Sequence, residues 1–293
     1  MAQPEPQPEP QSEVAFVLGG GGVLGATQVG MLRALLERGI RPDLVLGTSV
    51  GALNGAMLAA DPSLDSVRGL TELWKELAAS EVFSGSVFGR ARTLIRHGTH
   101  LHSSDALRQL AADHLKVRDI EDLQVRFQCV AASIERATAH WFTAGPIAEA
   151  VLASCAVPGL LPPVVIDGEH FLDGGLVHSI PVGRAVALGA RTIYVLHVGR
   201  VEQPLRAPRF PWEVGLVAFE IARRHRFVEE MASLTGDVDV EVHVLPSGDP
   251  DTPLVSMRYR DASRVADRIE RGYEASAQYL ADPAPSTRPG SAG

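Results

Sequence analysis

The sequence has few cysteines and no group of residues that suggests a metal site. Its 293 residues contain two cysteines, Cys129 and Cys155. Two are too few for a disulfide framework, and neither has metal-ligand residues at a suitable spacing. Both lie in apolar stretches, as small core residues commonly do. We therefore expect no disulfide framework and no bound metal.

Positive charge is also scarce. The chain has 27 Lys and Arg residues against 35 Asp and Glu residues, which gives a formal net charge of −8. Nucleic-acid partners require concentrated positive charge, so this balance argues against them. Peripheral association with a membrane surface is compatible with the same charge, because local apolar patches can dock on lipid.

Long hydrophobic runs are missing as well. No uninterrupted apolar run reaches the length of about 18 residues that a spanning helix needs. The first six residues have neither a basic start nor an apolar segment, so they do not resemble a secretory signal. We expect a cytoplasmic protein.

What is present is an alternation of short apolar strands and amphipathic helices. This order predicts an α/β fold with a mainly parallel central sheet flanked by helices on both faces. Residues 1–12 and 282–293 are rich in Pro, Gln, Glu, Ser or Gly and are predicted to be disordered tails around a single domain, 13–281. Residues 80–103 suit an irregular connection better than a lid. The predicted strands cover 14–18, a run ending at 47, 125–133, 138–143, 164–166, 169–172, 192–198 and 238–245, and the predicted helices cover 25–38, 52–60, 64–79, 104–115, 146–155, 181–188, 212–234 and 261–280.

The second strand ends in a G-x-S-x-G motif formed by Gly47, Ser49 and Gly51. A serine on a sharp strand-to-helix turn is the nucleophile-elbow arrangement, which exposes the hydroxyl above the strand end. The motif alone is weak because Gly and Ser are common in turns. The strand before it and the helix after it favour Ser49 as a nucleophile.

A glycine-rich loop follows the first strand. Gly20, Gly22 and Gly25 match the dinucleotide fingerprint, but the second strand does not end in the acidic residue that binds a ribose, and no Gly-Lys-Ser/Thr of a P-loop is present. The alternative is an oxyanion hole built from the amides of Gly20, Gly21 and Gly22 at a helix N-terminus.

Asp173 ends a strand pattern and is followed by Gly174 and Gly175. An Asp-Gly pair by itself is usually a turn. Together with an elbow and a glycine-rich loop, it predicts a carboxylate that could activate the serine.

These clusters resemble those of the patatin-like phospholipase family, and in particular its bacterial branch. The similarity covers roughly residues 14–200 and includes Ala153–Pro158 with Pro162 and Pro163. It implies a fold related to the catalytic domain of cytosolic phospholipase A2 and a Ser49–Asp173 dyad that hydrolyses lipid acyl esters without a histidine. It also implies an oxyanion hole at Gly20–Gly22 and no cofactor. The expected partner is a lipid or other ester substrate.

One residue departs from the family pattern. The loop of the family usually carries Arg or Lys where this chain has Leu24. A missing cation could slow the reaction or favour a less charged substrate. The backbone donors do not depend on that side chain, so the oxyanion-hole prediction stands.

Alternatives to a dyad hydrolase remain. His178 and His197 are the nearest candidates for a triad base. An acyltransferase could use the same dyad, although Thr48 stands where acyl-carrier-protein transacylases have a histidine. A catalytically idle scaffold is the third alternative, favoured weakly by Leu24 and opposed by the intact Ser49 and Asp173.

Overall fold

The computed structural model describes residues 14–79, 105–115, 117–198, 205, 207–208, 211–233, 240–248 and 264–282. The predicted tails, except residue 282, and the connection at 80–103 lie outside these ranges. The strands are β1 (Val14–Leu18), β2 (Leu44–Thr48), β3 (Arg126–Ser133), β4 (Thr138–Phe142), β5 (Val164–Ile166), β6 (Glu169–Asp173), β7 (Thr192–Leu196) and β8 (Glu241–Val244). The helices are α1 (Ala26–Glu37), α2 (Val50–Ala60), α3 (Leu64–Ala79), α4 (Asp105–His114), α5 (Ile147–Ser154), α6 (Val182–Ala187), α7 (Pro211–Ser233) and α8 (Val265–Ala281).

The strands form one mixed sheet in the order β5-β6-β3-β2-β1-β7-β8, with β4 also paired to β3. Strands β3, β2, β1, β7 and β8 are parallel, whereas β4, β5 and β6 pair antiparallel. Because parallel strands end at one edge of the sheet, β1 and β2 deliver the glycine-rich loop and Ser49 to the same place. The pairing of Ala131 in β3 with Asp173 in β6 brings the carboxylate to that edge.

The two faces of the sheet are both covered, as the sequence predicts. Successive residues of β1 alternate between two apolar clusters, since Phe16 and Leu18 belong to one and Ala15 and Val17 to the other. This is the alternation of a strand buried on both faces. The α/β class with a mainly parallel, helix-flanked sheet is confirmed.

Helix α8 packs closely on α1. A Cβ atom on Gly30 would lie 2.0 Å from the carbonyl oxygen of Ile269, and one on Gly272 would lie 2.6 Å from that of Thr27. The two backbones therefore touch at positions where only glycine fits. This contact ties the C-terminal helix to the helix that follows the glycine-rich loop.

The predicted boundaries are close to the observed ones. Helix α1 begins at Ala26 because residues Gly22–Gly25 form a 3-10 turn first. Helix α2 begins at Val50, directly after the elbow, and β6 runs one residue further than predicted, to Asp173. The predicted boundaries at 104, 234, 238 and 261 lie outside the described residues.

Within the described ranges, none of the helices combines the length and the apolar character needed to traverse a bilayer.

Candidate active site

Ser49 occupies the sharp turn between β2 and α2. Its backbone has φ 56° and ψ −128°, an unfavourable conformation for a residue with a side chain. The flanking glycines permit the turn: a Cβ on Gly47 would lie 2.5 Å from the Cα of Ala52, and one on Gly51 would lie 2.1 Å from the carbonyl oxygen of Leu18. The predicted elbow geometry is thus present, and larger residues would clash at both flanks.

The backbone of Ser49 is held by a second serine. The amide N–H of Ser49 donates to Oγ of Ser154 at 2.9 Å, and the Ser154 hydroxyl donates to the carbonyl oxygen of Val130 at 2.7 Å. Ser154 is fully buried at the end of α5. It therefore links the elbow to strand β3.

Ser49 and Asp173 are in direct contact. Oγ of Ser49 donates to Oδ2 of Asp173 over 2.6 Å, while the other carboxylate oxygen accepts the N–H of Gly175 at 2.7 Å. The turn after Asp173 requires Gly174, because a Cβ there would lie 2.1 Å from the carbonyl oxygen of Val130. A hydroxyl and a carboxylate at this distance can exchange a proton.

Burial changes the acidity of Asp173. The side chain is inaccessible to solvent, which raises its pKa to about 6. The hydrogen bonds from Ser49 and Gly175 and the charge of Arg223 oppose this rise. The Cys155 thiol lies close by, and its pKa is raised by burial and by the nearby carboxylate. The carboxylate is therefore a stronger base than an exposed aspartate.

The glycine-rich loop leaves β1 beside the elbow. The N–H of Gly20 donates to the carbonyl oxygen of Ser179 at 3.1 Å. Within the described ranges, no acceptor is recorded for the N–H groups of Gly21 and Gly22. Gly22 has φ 57°, a left-handed conformation that suits glycine. The structure thus separates Gly20, whose amide is already engaged, from the two amides that follow it.

Both ends of the loop are fixed by a buried polar network. Gln28 donates to the carbonyl oxygen of Gly19 at 2.8 Å, and Asn54 donates to that of Gly25 at 3.0 Å. Asn54 also donates to Oε1 of Gln28 at 2.8 Å and accepts the indole N–H of Trp74 at 2.9 Å. These residues were not singled out from sequence, because a buried amide has no local signature.

Leu24 and Gly25 belong to the apolar side of the loop. Leu24 is 8% exposed and lies in the core cluster with Trp74. A Cβ on Gly25 would lie 2.7 Å from both Trp74 and Val50. The position that is usually basic in the family therefore supplies packing here and no charge.

The two candidate triad histidines have other neighbours. Nδ1 of His178 lies 2.6 Å from Oε1 of Glu230, and its ring packs against Trp141. His197 is buried, stacks with Phe227, and has a pKa lowered to about 3 by burial. Among the described residues, neither ring forms a hydrogen bond to Ser49 or Asp173.

One further side chain reaches the site from the C-terminal part of the chain. Nη1 of Arg223, in α7, donates to the carbonyl oxygen of Gly20 at 2.6 Å. Sequence reasoning missed Arg223, since no motif marks it and it lies far along the chain.

Thr48, which stands where acyl-carrier-protein transacylases have a histidine, donates to the carbonyl oxygen of His178 at 2.8 Å.

Metal-binding side chains are not grouped in the described ranges. No set of three or more His, Cys, Asp or Glu residues there is arranged to hold a metal ion.

The site as a whole combines a hydroxyl, a buried carboxylate and two adjacent backbone donors, which are the groups needed for acyl transfer.

The chain is similar in sequence to proteins named as patatin-like phospholipases and lysophospholipases. The chain is 34% identical over 188 residues to patatin-like phospholipase domain-containing protein 7 of Rattus norvegicus, covering 64% of this chain and 14% of the relative. It is 32% identical over 189 residues to lysophospholipase nte1 of Emericella nidulans, covering 64% of this chain and 12% of that protein. The chain thus spans only about an eighth of the length of these relatives. They come from an animal and a fungus, so the bacterial branch stays a prediction.

Similarity to solved structures is weaker. VipD from Legionella pneumophila aligns with a TM-score of 0.44 at 14% identity, over 93% of this chain and 67% of that one. The family model described as patatin-like phospholipase matches residues 16–186, which include the last three residues of β1, the glycine-rich loop, the elbow and the Asp173 turn. More than half of the chain lies within this match, and the chain belongs to the patatin-like phospholipase family.

Proposed function

We propose that this protein hydrolyses carboxylic ester bonds of lipids through an acyl-enzyme formed on Ser49. The observation that carries the proposal is the 2.6 Å hydrogen bond between the Ser49 hydroxyl and the buried Asp173 carboxylate. Family membership supports a lipid ester as the substrate. The lysophospholipase name of a relative supports the same class of substrate.

The first half-reaction acylates the serine. Oγ of Ser49 attacks the ester carbonyl carbon while Oδ2 of Asp173 takes the hydroxyl proton. The carbonyl oxygen becomes an oxyanion and accepts hydrogen bonds from the Gly21 and Gly22 amides. The tetrahedral intermediate then breaks its bond to the leaving oxygen, which receives the proton from Asp173 and departs as an alcohol.

The second half-reaction restores the enzyme. Asp173 takes a proton from water as the water oxygen attacks the acyl carbon. A second tetrahedral oxyanion forms on the same amides and collapses, breaking the bond to Oγ of Ser49 and releasing a carboxylic acid. The proton on Asp173 returns to Ser49. One carboxylate thus serves as base and acid in both halves.

The sequence predicts three oxyanion donors, the amides of Gly20, Gly21 and Gly22, and we propose only two of them. The N–H of Gly20 already donates to Ser179, so we assign the donor role to Gly21 and Gly22 and an anchoring role to Gly20. Each well-placed donor contributes about 3 kcal/mol to transition-state stabilisation. The Leu24 position contributes no charge to this assignment.

The test is hydrolysis of p-nitrophenyl esters of increasing acyl length and of a lysophospholipid. We expect Ser49→Ala and Asp173→Asn to lose on the order of 10⁴-fold in kcat. The matched control is His178→Ala, which is expected to stay within about threefold of wild type, since its ring pairs with Glu230. Loss of activity in His178→Ala with retention in Asp173→Asn would overturn the dyad.

Two further experiments test the alternatives, which are a catalytically idle scaffold and an acyltransferase. A fluorophosphonate probe should label wild type and not Ser49→Ala; no labelling of wild type would support an idle scaffold. Product analysis with an added alcohol or thiol acceptor separates hydrolysis from transfer. Acylated acceptor as the main product would support an acyltransferase.

A further inference from the structure

A buried arginine lies beside the nucleophile. Arg223 is 7% exposed and lies in α7, beyond the segment 16–186 that matches the family. A Cβ built on Gly20 would lie 3.2 Å from the Cβ of Ser49 and 3.9 Å from Nη1 of Arg223. Gly20 therefore lies next to both the nucleophile and the guanidinium group.

The contact of Arg223 with Gly20 bears on the next amide. The carbonyl of Gly20 and the N–H of Gly21 belong to one planar trans peptide unit and point in opposite directions. Holding the carbonyl oxygen at 2.6 Å from Nη1 therefore fixes the direction of the Gly21 N–H. A charged donor on the carbonyl also polarises the peptide, which strengthens that N–H as a donor.

The other anchors of the loop act on other peptide units. Gln28 holds the carbonyl of Gly19, and Asn54 holds that of Gly25. The carbonyl of Gly21 accepts the N–H of Leu24 at 3.2 Å. Arg223 is thus the recorded partner of the Gly20 carbonyl, in the middle of the loop.

The guanidinium is itself held in place. Nε of Arg223 lies 3.5 Å from Oε1 of Glu220, one turn earlier in α7. Phe219, the residue before Glu220, packs against the turn that follows Asp173. A Cβ on Gly175 in that turn would lie 2.8 Å from the Phe219 ring. Helix α7 therefore contacts both the glycine-rich loop and the carboxylate turn.

We propose that Arg223 is a positioning residue of the oxyanion hole, which orients and polarises the Gly21 amide through the Gly20 carbonyl. The inference rests on the proposed function, because it concerns the same reaction. Under this proposal, Arg223 in α7 places a positive charge next to the glycine-rich loop, which itself has the uncharged Leu24.

The experiment compares Arg223→Met with Arg226→Met, which removes the same charge from the exposed side of the same helix. For Arg223→Met we expect kcat on a soluble p-nitrophenyl ester to fall roughly 10- to 100-fold with KM unchanged. A trifluoromethyl ketone, which forms a tetrahedral oxyanion on the serine, should lose affinity by the same factor. Arg226→Met should match wild type in all three quantities.

A conservative variant tests positioning against mere support of the fold. Arg223→Lys can still donate to the Gly20 carbonyl but lacks the fixed geometry of the guanidinium group, so it should recover about half of the loss on a logarithmic scale and stay below wild type. Thermal unfolding of each variant records stability separately. If Arg223→Met does not fold, Arg223→Lys decides: a lowered kcat and weaker ketone binding at unchanged KM support the proposal, and wild-type values overturn it.

The outcomes separate the two proposals. Wild-type protein that neither hydrolyses esters nor reacts with a fluorophosphonate would remove the proposed function. Active wild-type protein with an equally active Arg223→Met variant would remove this inference alone. A raised KM with unchanged kcat would also overturn it, since that result indicates uniform substrate binding.

Discussion

The hydroxyl of Ser154 accepts a hydrogen bond from the backbone N–H of Ser49 at 2.9 Å and donates one to the carbonyl oxygen of Val130 at 2.7 Å. Ser154→Ala removes both of these buried hydrogen bonds. We expect a loss of roughly 2 to 4 kcal/mol in the free energy of unfolding. We also expect a drop of about tenfold in kcat, because the strained elbow loses a support.

Ser276→Ala is the matched control for that variant. Ser276 is also fully buried, but its hydroxyl donates to the carbonyl oxygen of Pro246 over a long 3.3 Å, in another part of the fold. We expect it to lose less stability and to keep kcat. Equal kcat in both variants, measured alongside urea unfolding, would contradict a supporting role for Ser154.

The pH dependence of activity should report on Asp173. Its pKa is raised to about 6, and only the ionised carboxylate can accept the serine proton. We expect kcat/KM on a neutral ester to be constant above pH 7 and to fall tenfold per unit below pH 6.

A histidine could produce a similar acid limb, since its ordinary pKa is about 6.5. His178→Ala is therefore measured over the same range and should keep the profile of the wild type. A profile that flattens in His178→Ala would assign the limb to the histidine. A rate independent of pH from 5 to 8 would contradict the role of Asp173 as base.

Asp173 should also make stability depend on pH. Its folded pKa lies above the value of about 3.9 for an unfolded chain, so the folded protein binds this proton more tightly. The stabilisation from the protonated form is complete below about pH 4 and is lost as pH rises through about 6. We expect Asp173→Asn to be more stable than wild type by about 2 to 3 kcal/mol at pH 8, with the difference vanishing near pH 4.

Urea unfolding at several pH values measures this difference. Asp167→Asn is the control, because it makes the same chemical change at an exposed residue of the β5–β6 turn, where φ is 51°. It should alter stability by less than about 0.5 kcal/mol at any pH. A difference between wild type and Asp173→Asn that stays constant with pH would show that Asp173 titrates alike in both states.

Much of the fold could be predicted because its signals are local. Apolar runs, glycine stops and the G-x-S-x-G spacing identified the strands, the helices and the elbow at Ser49 within a few residues. The pairing of Asp173 with Ser49 was expected from the family resemblance, since 124 residues separate them and spacing alone cannot bring them together.

What escaped prediction depends on tertiary packing. The sequence assigned Gly20 to the oxyanion hole, whereas its N–H faces Ser179, a residue in a loop that reaches it only in the folded chain. Arg223 reads as one of several charges along α7, and only the docking of that helix turns it toward Gly20. Gln28 and Asn54 likewise gain their partners from packing.

The close contact of Gly30 and Gly272 with the facing backbones bears on how the chain can be cut. A fragment ending near residue 198 would keep Ser49, Asp173 and every motif of the family. It would lack α8, and the small-residue face of α1, which leads directly from the glycine-rich loop, would be open to water. The shortest piece that keeps the proposed activity should therefore extend to about residue 282, and it is longer than the portion recognisable by family motifs.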